Sequence, residues 1–171
     1  DGCFNASMRT QDIKIRRVMS TLDMDQLRQL FVEYAASLSI DLGFQGFEDE
    51  LLQLPGEYAS AQGGALVLAL VGGEPAGCGA MRAFPDADYS NACEMKRVFV
   101  RPQYRSMGLG RQIAVQLIDE ACSMGYSCML LDTLDEMEAA RGLYESLGFE
   151  EIPPYYFNPI PGAHYLKVEL T

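Results

Sequence analysis

The chain has 171 residues, 49% of them hydrophobic, which is enough for one well-packed domain and too few for two ordinary ones. Its formal net charge of −11 argues against nucleic acid as a partner. It contains no run of about 18 apolar residues that would make a membrane partner or span expected. The acidity is compatible with a cationic amine partner, although solubility alone explains it.

Cys3, Cys78, Cys93, Cys122 and Cys128 lack Cys-x-x-Cys spacing. They read as reduced thiols of a cytoplasmic protein rather than a disulfide framework or a zinc site, so no metal is expected. The first residues have neither the basic start nor the apolar core of a secretory signal, and residues 1–10 or so are expected to be a disordered tail or residues foreign to the natural protein. The rest, with no repeat or low-complexity tract, is expected to form a single domain.

In chain order, Ile13 to Val18 is expected as a first strand. Thr21 or Asp23 then caps a helix whose Leu27, Leu30, Phe31, Tyr34 and Leu38 recur at helical spacing. A short helix from Phe47 to Leu54 stops at Pro55-Gly56. Ala65 to Val71 and Gly77 to Arg82 form a hairpin through Gly72-Gly-Glu-Pro75. A strand from Cys93 to Val100 follows. The next helix places Leu109, Ile113, Leu117 and Ala121 on one face and ends near Gly125. Ser127 to Asp132 is a buried strand, Glu136 to Leu147 a helix closed by Gly148, and Tyr165 to Leu170 the last strand. The order βααβββαβαβ gives an α/β (α+β) fold with a mixed sheet and helices on both faces.

The segment Val98 to Arg111 carries the functional signal. A β-branched and aromatic strand ends at Pro102, a turn with Arg105, Gly108 and Gly110 follows, and a helix begins. Glycines at a helix start let bare backbone N–H groups approach an anion, which the helix N-terminus favours. From Met95 to Ile118 there is no Asp or Glu, while Lys96, Arg97, Arg101, Arg105 and Arg111 all fall in that window. The segment is either kept for a phosphate or is a helix start with solvated bases. It is not a P-loop, because Gly110 is followed by Arg111 and Gln112. A dinucleotide fingerprint fails at Ile113, where a third glycine is required, and the turn from Val100 to Gly108 is too long.

Arg105-Ser-Met-Gly108-Leu-Gly110 resembles the Arg/Gln-x-x-Gly-x-Gly/Ala signature of the GNAT superfamily of N-acetyltransferases. The preceding Val-Phe-Val strand, the following helix and Leu143-Tyr144-Glu-Ser-Leu-Gly148-Phe149 match in order and spacing. Glu94-Met-Lys-Arg-Val-Phe-Val, Leu131-Asp-Thr-Leu and Asn158-Pro-Ile-Pro-Gly-Ala also resemble a group of small bacterial members. The resemblance covers nearly the whole chain.

It implies acetyl-CoA as co-substrate. The backbone of Arg105, Ser106, Met107, Gly108, Leu109 and Gly110 would hold the pyrophosphate, assisted by the Arg105 and Arg111 side chains. Val98, Phe99 and Val100 would pair with the pantetheine arm in a gap between two splayed strands. Direct attack by an amine needs a proton acceptor, a stabilised oxyanion and a proton for the leaving thiolate. Tyr144 is the general acid of the resemblance, since a phenol matches a thiolate in basicity. Glu94 and Asp132 both occupy positions used for the base, and position favours Glu94. Either could instead bind a cationic substrate or Lys96 or Arg97. Tyr155, Tyr156, Asn158 and, more weakly, Gln45 and Phe47 line the acceptor side or serve as connectors.

Two positions depart from simple expectation. The only histidine, His164, has no triad partners nearby in sequence. Met137 stands where many members carry a donor-binding Asn, and a thioether cannot donate that bond. The expected activity is direct acetyl transfer to a primary amine of a small molecule or peptide. The alternative is an acyl-CoA-binding sensor or scaffold, which the presence of Tyr144 disfavours. Dimers are common in the family.

Overall fold

The computed structural model describes residues 12–135 and 137–170, so the expected N-terminal tail lies outside the described residues. Seven strands form one sheet in the order β1-β2-β3-β4-β5-β7-β6. They are β1 (Ile13–Arg17), β2 (Ala65–Val71), β3 (Glu74–Ala83), β4 (Ala92–Val100), β5 (Cys128–Leu134), β6 (Glu150–Ile152) and β7 (Ala163–Glu169). The helices are α1 (Thr21–Ser37), α2 (Phe47–Gln53), α3 (Leu109–Ser123) and α4 (Glu138–Ser146). Neighbouring strands are antiparallel except β4 and β5, which are parallel and joined by the crossover through α3.

Strand β2 shows why the sheet is covered on both faces. Side chains alternate along a strand, so Val67 and Ala69 join Ile113, Leu117 and Ala121 of α3. Leu66 and Leu68 face the other way, onto Leu27, Leu30 and Phe31 of α1. Helix α3 lies close to the sheet because β3 presents Gly79 beneath it. A Cβ there would sit 2.5 Å from Ile113 Cγ2 and 2.9 Å from Leu117 Cδ1.

Several boundaries differ from those read in the sequence, each for a local reason. The cap of α1 is Ser20, whose Oγ accepts the Asp23 N–H at 3.0 Å. Asp23 instead accepts the Met19 N–H at 2.9 Å and two bonds from Arg16, at 2.5 and 3.0 Å. The hairpin turn is only Gly72-Gly73, so β3 starts at Glu74 and takes in Pro75, beside a register shift at Ala69/Leu70. Helix α4 starts at Glu138 after Met137, and the expected start at Glu136 lies outside the described residues. Strand β6 was not expected. It has three residues, two of them Glu, and its pairing with β7 defines it rather than any apolar alternation.

Candidate active site

Strands β4 and β5 pair at Ala92–Cys128, Cys93–Met129 and Glu94–Leu130, and among the described residues the pairing ends there. β4 continues along β3 to Val100 and β5 along β7 to Leu134, so the two part company in mid-sheet. The gap opens a cavity of about 80 Å³ that continues outward to solvent. Met95, Lys96, Arg97 and Val98 line one wall and Leu131, Asp132, Thr133 and Leu134 the other. Tyr144 and Met137 close one side of it, and Tyr34, Gln45 and Asn158 another.

β4 does not alternate regularly along this wall. Ala80 faces Lys96 but Cys78 faces Phe99, so three steps on β4 match two on β3, and Arg97 takes φ +61°. This is a β-bulge. Met95 and Val98 pack beneath α3, whereas Lys96 and Arg97, although consecutive, both reach to the α1–α2 side. Beyond Glu94 the β5-facing backbone edge of β4, Val98, Phe99 and Val100 included, has no strand partner on β5 among the described residues.

At the C-terminal end of β4 the chain passes through a single 3-10 turn (Pro102–Tyr104) into the loop before α3. Ser106 and Gly108 adopt φ +72° and +74°. Such left-handed steps turn successive N–H groups toward one point, a geometry suited to anions. Gly108 caps α3 with no side-chain bond, and the first intrahelical bond is Gln112 N–H to Gly108 O at 3.2 Å. The N–H groups of Leu109, Gly110 and Arg111 therefore have no helical acceptor. A pyrophosphate fits this arrangement.

The basic window contributes less than its composition suggested. Arg101 is bound to Glu33 at 2.9 and 2.7 Å, Arg97 to Glu50 at 3.0 and 3.0 Å, and Arg111 donates to Ser146 Oγ at 2.9 Å. Arg105 is exposed beside the loop and, among the described residues, bonds only to the Val100 carbonyl, at 3.3 Å, which leaves it the freest of the bases for a phosphate. Ser106 is exposed and Met107 half-buried; Leu109 is buried beneath the loop.

Tyr144 is buried on α4, edge-on to Phe149 at 5.7 Å between ring centres, and reaches the cavity. Burial pushes its phenol well above the ordinary tyrosine value, so it is a neutral proton donor throughout the physiological range. Met137 also lines the cavity, and its sulfur accepts the Thr133 hydroxyl at 3.5 Å, so it is tied to β5 rather than offered as a donor.

The two carboxylates named in the sequence meet different surroundings. Glu94 is 1% exposed. Its Oε1 accepts Arg82 Nε at 3.0 Å and lies 3.8 Å from Lys96 Nζ, and its Oε2 accepts the Tyr155 hydroxyl at 2.7 Å. Arg82 is anchored in turn by Glu57 at 2.5 Å. Asp132 lines the cavity, and its Oδ2 accepts the Tyr156 hydroxyl and, at 3.4 Å, Asn158 Nδ2. Burial raises the Asp132 pKa, with the Tyr156 bond opposing that shift.

Gln45 joins the halves of this network. Its Oε1 accepts Arg97 at 2.8 Å and Lys96 at 3.3 Å, while its Nε2 donates to the Tyr156 oxygen at 3.2 Å. Phe47 is a buried core residue under the Arg97 guanidinium, 5.2 Å from its ring centre. The structure therefore brings Glu94, Asp132, Gln45, Tyr155, Tyr156 and Asn158 together. It adds Arg82, Lys96 and Tyr34, which sequence reasoning did not assign to the site. His164 stands apart, between Glu151 at 2.7 Å and Asp135.

An opened parallel strand pair with an anion-binding helix start at its end defines the N-acetyltransferase fold. The model of the acetyltransferase (GNAT) family matches residues 24–149, and the chain belongs to that family. It is 37% identical to an uncharacterised N-acetyltransferase of Schizosaccharomyces pombe, over 96% of this chain and 99% of that one. An acetyltransferase structure from Streptococcus agalactiae superposes with a TM-score of 0.74 at 23% identity, covering 94% of this chain and 99% of that one. A Salmonella typhimurium structure holding its cofactor acetyl-CoA gives 0.71 at 18%, covering 94% and 95%. The protein is thus an acetyl-CoA-dependent N-acetyltransferase with an amine acceptor. The yeast relative shows that its resemblances extend beyond the small bacterial members.

Proposed function

We propose that the whole chain acts as one domain, in the cytoplasm, transferring acetyl from acetyl-CoA directly to a primary amine within a ternary complex. The observation that carries this reading is the cavity between β4 and β5. It has Tyr144 on one wall and Asp132 on another, and β4, which lines it from Met95 to Val98, runs on to the loop before the bare start of α3.

Bound acetyl-CoA supplies an activated thioester. The N–H groups of the Ser106–Arg111 loop and Arg105 hold its pyrophosphate, and the free edge of Val98–Val100 aligns its arm. Asp132 takes the proton of the amine. It is favoured over Glu94 because it faces the cavity, whereas both Glu94 oxygens are occupied by Arg82 and Tyr155. Glu94 then fixes Tyr155 and Arg82 as a positioning residue. A backbone N–H of the bulged segment donates to the carbonyl oxygen as charge develops there. Tyr144 gives its proton to the departing sulfur, and no protein nucleophile is required.

Free-thiol release with a responsive amine tests the assignment of Tyr144. Tyr144→Phe keeps the ring and its packing, and kcat is expected to fall by about 10²–10⁴ while the acetyl-CoA Kd changes little. Unchanged kcat would remove Tyr144 from the reaction. Binding without thiol release from any amine would support a sensor instead.

A further inference from the structure

The charges on the acceptor side of the cavity do not pair off completely. Arg82 is satisfied by Glu57 and Glu94, and Arg97 by Glu50. Lys96 has only the more distant Glu94, which it shares with Arg82, and Asp132 has no ion pair among the described residues. The Lys96 side chain is only 8% exposed, yet the hydrogen bond found for its ammonium is a single long one, to Gln45 at 3.3 Å. Glu94, at 3.8 Å, is beyond hydrogen-bond reach and already holds Arg82 and Tyr155. An ammonium has three donors, so Lys96 keeps N–H capacity toward the cavity that it lines.

Asp132 has the complementary vacancy. Both of its bonds among the described residues, from Tyr156 and Asn158, fall on Oδ2 and none on Oδ1. Gln45 bridges the two charges, accepting from Lys96 at one end of its amide and donating to Tyr156 at the other. One buried cation and one buried anion thus face a common space at the separation of a single amide side chain and a phenol oxygen.

We infer that the acceptor is a small amino acid, its carboxylate bound by Lys96 and its amine directed to Asp132. The inference rests on the proposed acetyl transfer and names its substrate class. A plain amine would leave the remaining N–H donors of that buried ammonium without an acceptor. A carboxylate supplies its missing partner, and such charge-assisted bonds are the stronger kind in a dry site.

The test compares the twenty amino acids with their α-amides and with the amines lacking the carboxylate, following thiol release from acetyl-CoA. At least one free amino acid is expected to exceed its own amide and amine by roughly 10- to 100-fold in kcat/KM. Lys96→Met and Lys96→Gln are expected to bring that ratio close to one, with acetyl-CoA titration reporting that the donor half remains folded. The ratio is a safeguard, because general damage lowers both substrates together. Turnover restricted to amines or amides, absence of turnover with every amino acid, or a ratio unmoved in both variants would overturn the inference. Failure of the wild type to bind acetyl-CoA would instead strike the underlying acetyl-transfer reading.

Discussion

Asp132 and Glu94 are chemically similar and a few ångströms of environment separate their roles. Burial lifts the Asp132 pKa above its ordinary 3.8, so the carboxylate proposed as base is lost on acidification sooner than a free aspartate would be. The acid limb of kcat/KM is therefore expected above that value and assigned to Asp132. Asp132→Asn should remove the limb and lower the rate by about 10²–10⁴, and a pH–rate profile of both proteins checks it. An intact limb in the variant would transfer the role to Glu94. Tyr144 was legible in the sequence because its motif is local, as was the Gly108 turn. Lys96 and Arg97 were visible only as charges, since their shared direction depends on a bulge set by the register against β3. Arg82 was hidden for a similar reason: its partner Glu94 lies opposite it on the neighbouring strand.

Each helix and strand start shows how far periodicity reaches. The apolar faces of α1 and α3 follow from spacing, and the structure buries Leu27, Leu30, Phe31, Ile113 and Leu117 as that spacing requires. The cap of α1 does not follow from spacing, because Ser20, Thr21 and Asp23 are all good capping residues and the choice is made by Arg16 on β1. That pair fixes the joint between β1 and α1. The Arg16 guanidinium and two N–H groups hold the Asp23 carboxyl down to about 2 in the folded protein. Its contribution is complete above the unfolded value near 3.8 and disappears as pH falls through about 2. Asp23→Asn is expected to cost about 2 kcal/mol at neutral pH. The gap between the two denaturation curves should close across that acid window. A difference that stays constant with pH would show that the charge is not what matters. Strand β6 illustrates the opposite limit: three residues with two exposed glutamates carry no pattern, and β7 alone recruits them into the sheet.

The architecture explains why one sheet can bring a donor and an acceptor together. Pairing of β4 and β5 holds for three residues and then yields, and in the proposed reading both substrates meet in the gap so formed. The net charge of −11 is not concentrated there. Arg82, Lys96 and Arg97 stand against Glu50, Glu57, Glu94 and Asp132, and most of the acidic surplus lies elsewhere. The strand and helix order was readable because it follows the hydrophobic pattern, whereas the splay was available only through family resemblance. Its consequence for binding is open to one direct measurement, calorimetric titration of acetyl-CoA into the wild type and Gly108→Val. A side chain at φ +74° meets no neighbour within 4 Å but carries backbone strain. That strain, about 1–2 kcal/mol, is relieved if the loop opens, which weakens binding by roughly tenfold. Saturable binding at one site in the wild type, weakened in the variant, is the predicted result. No binding by the wild type would contradict the assignment of the Ser106–Arg111 loop and the acetyl transfer built upon it.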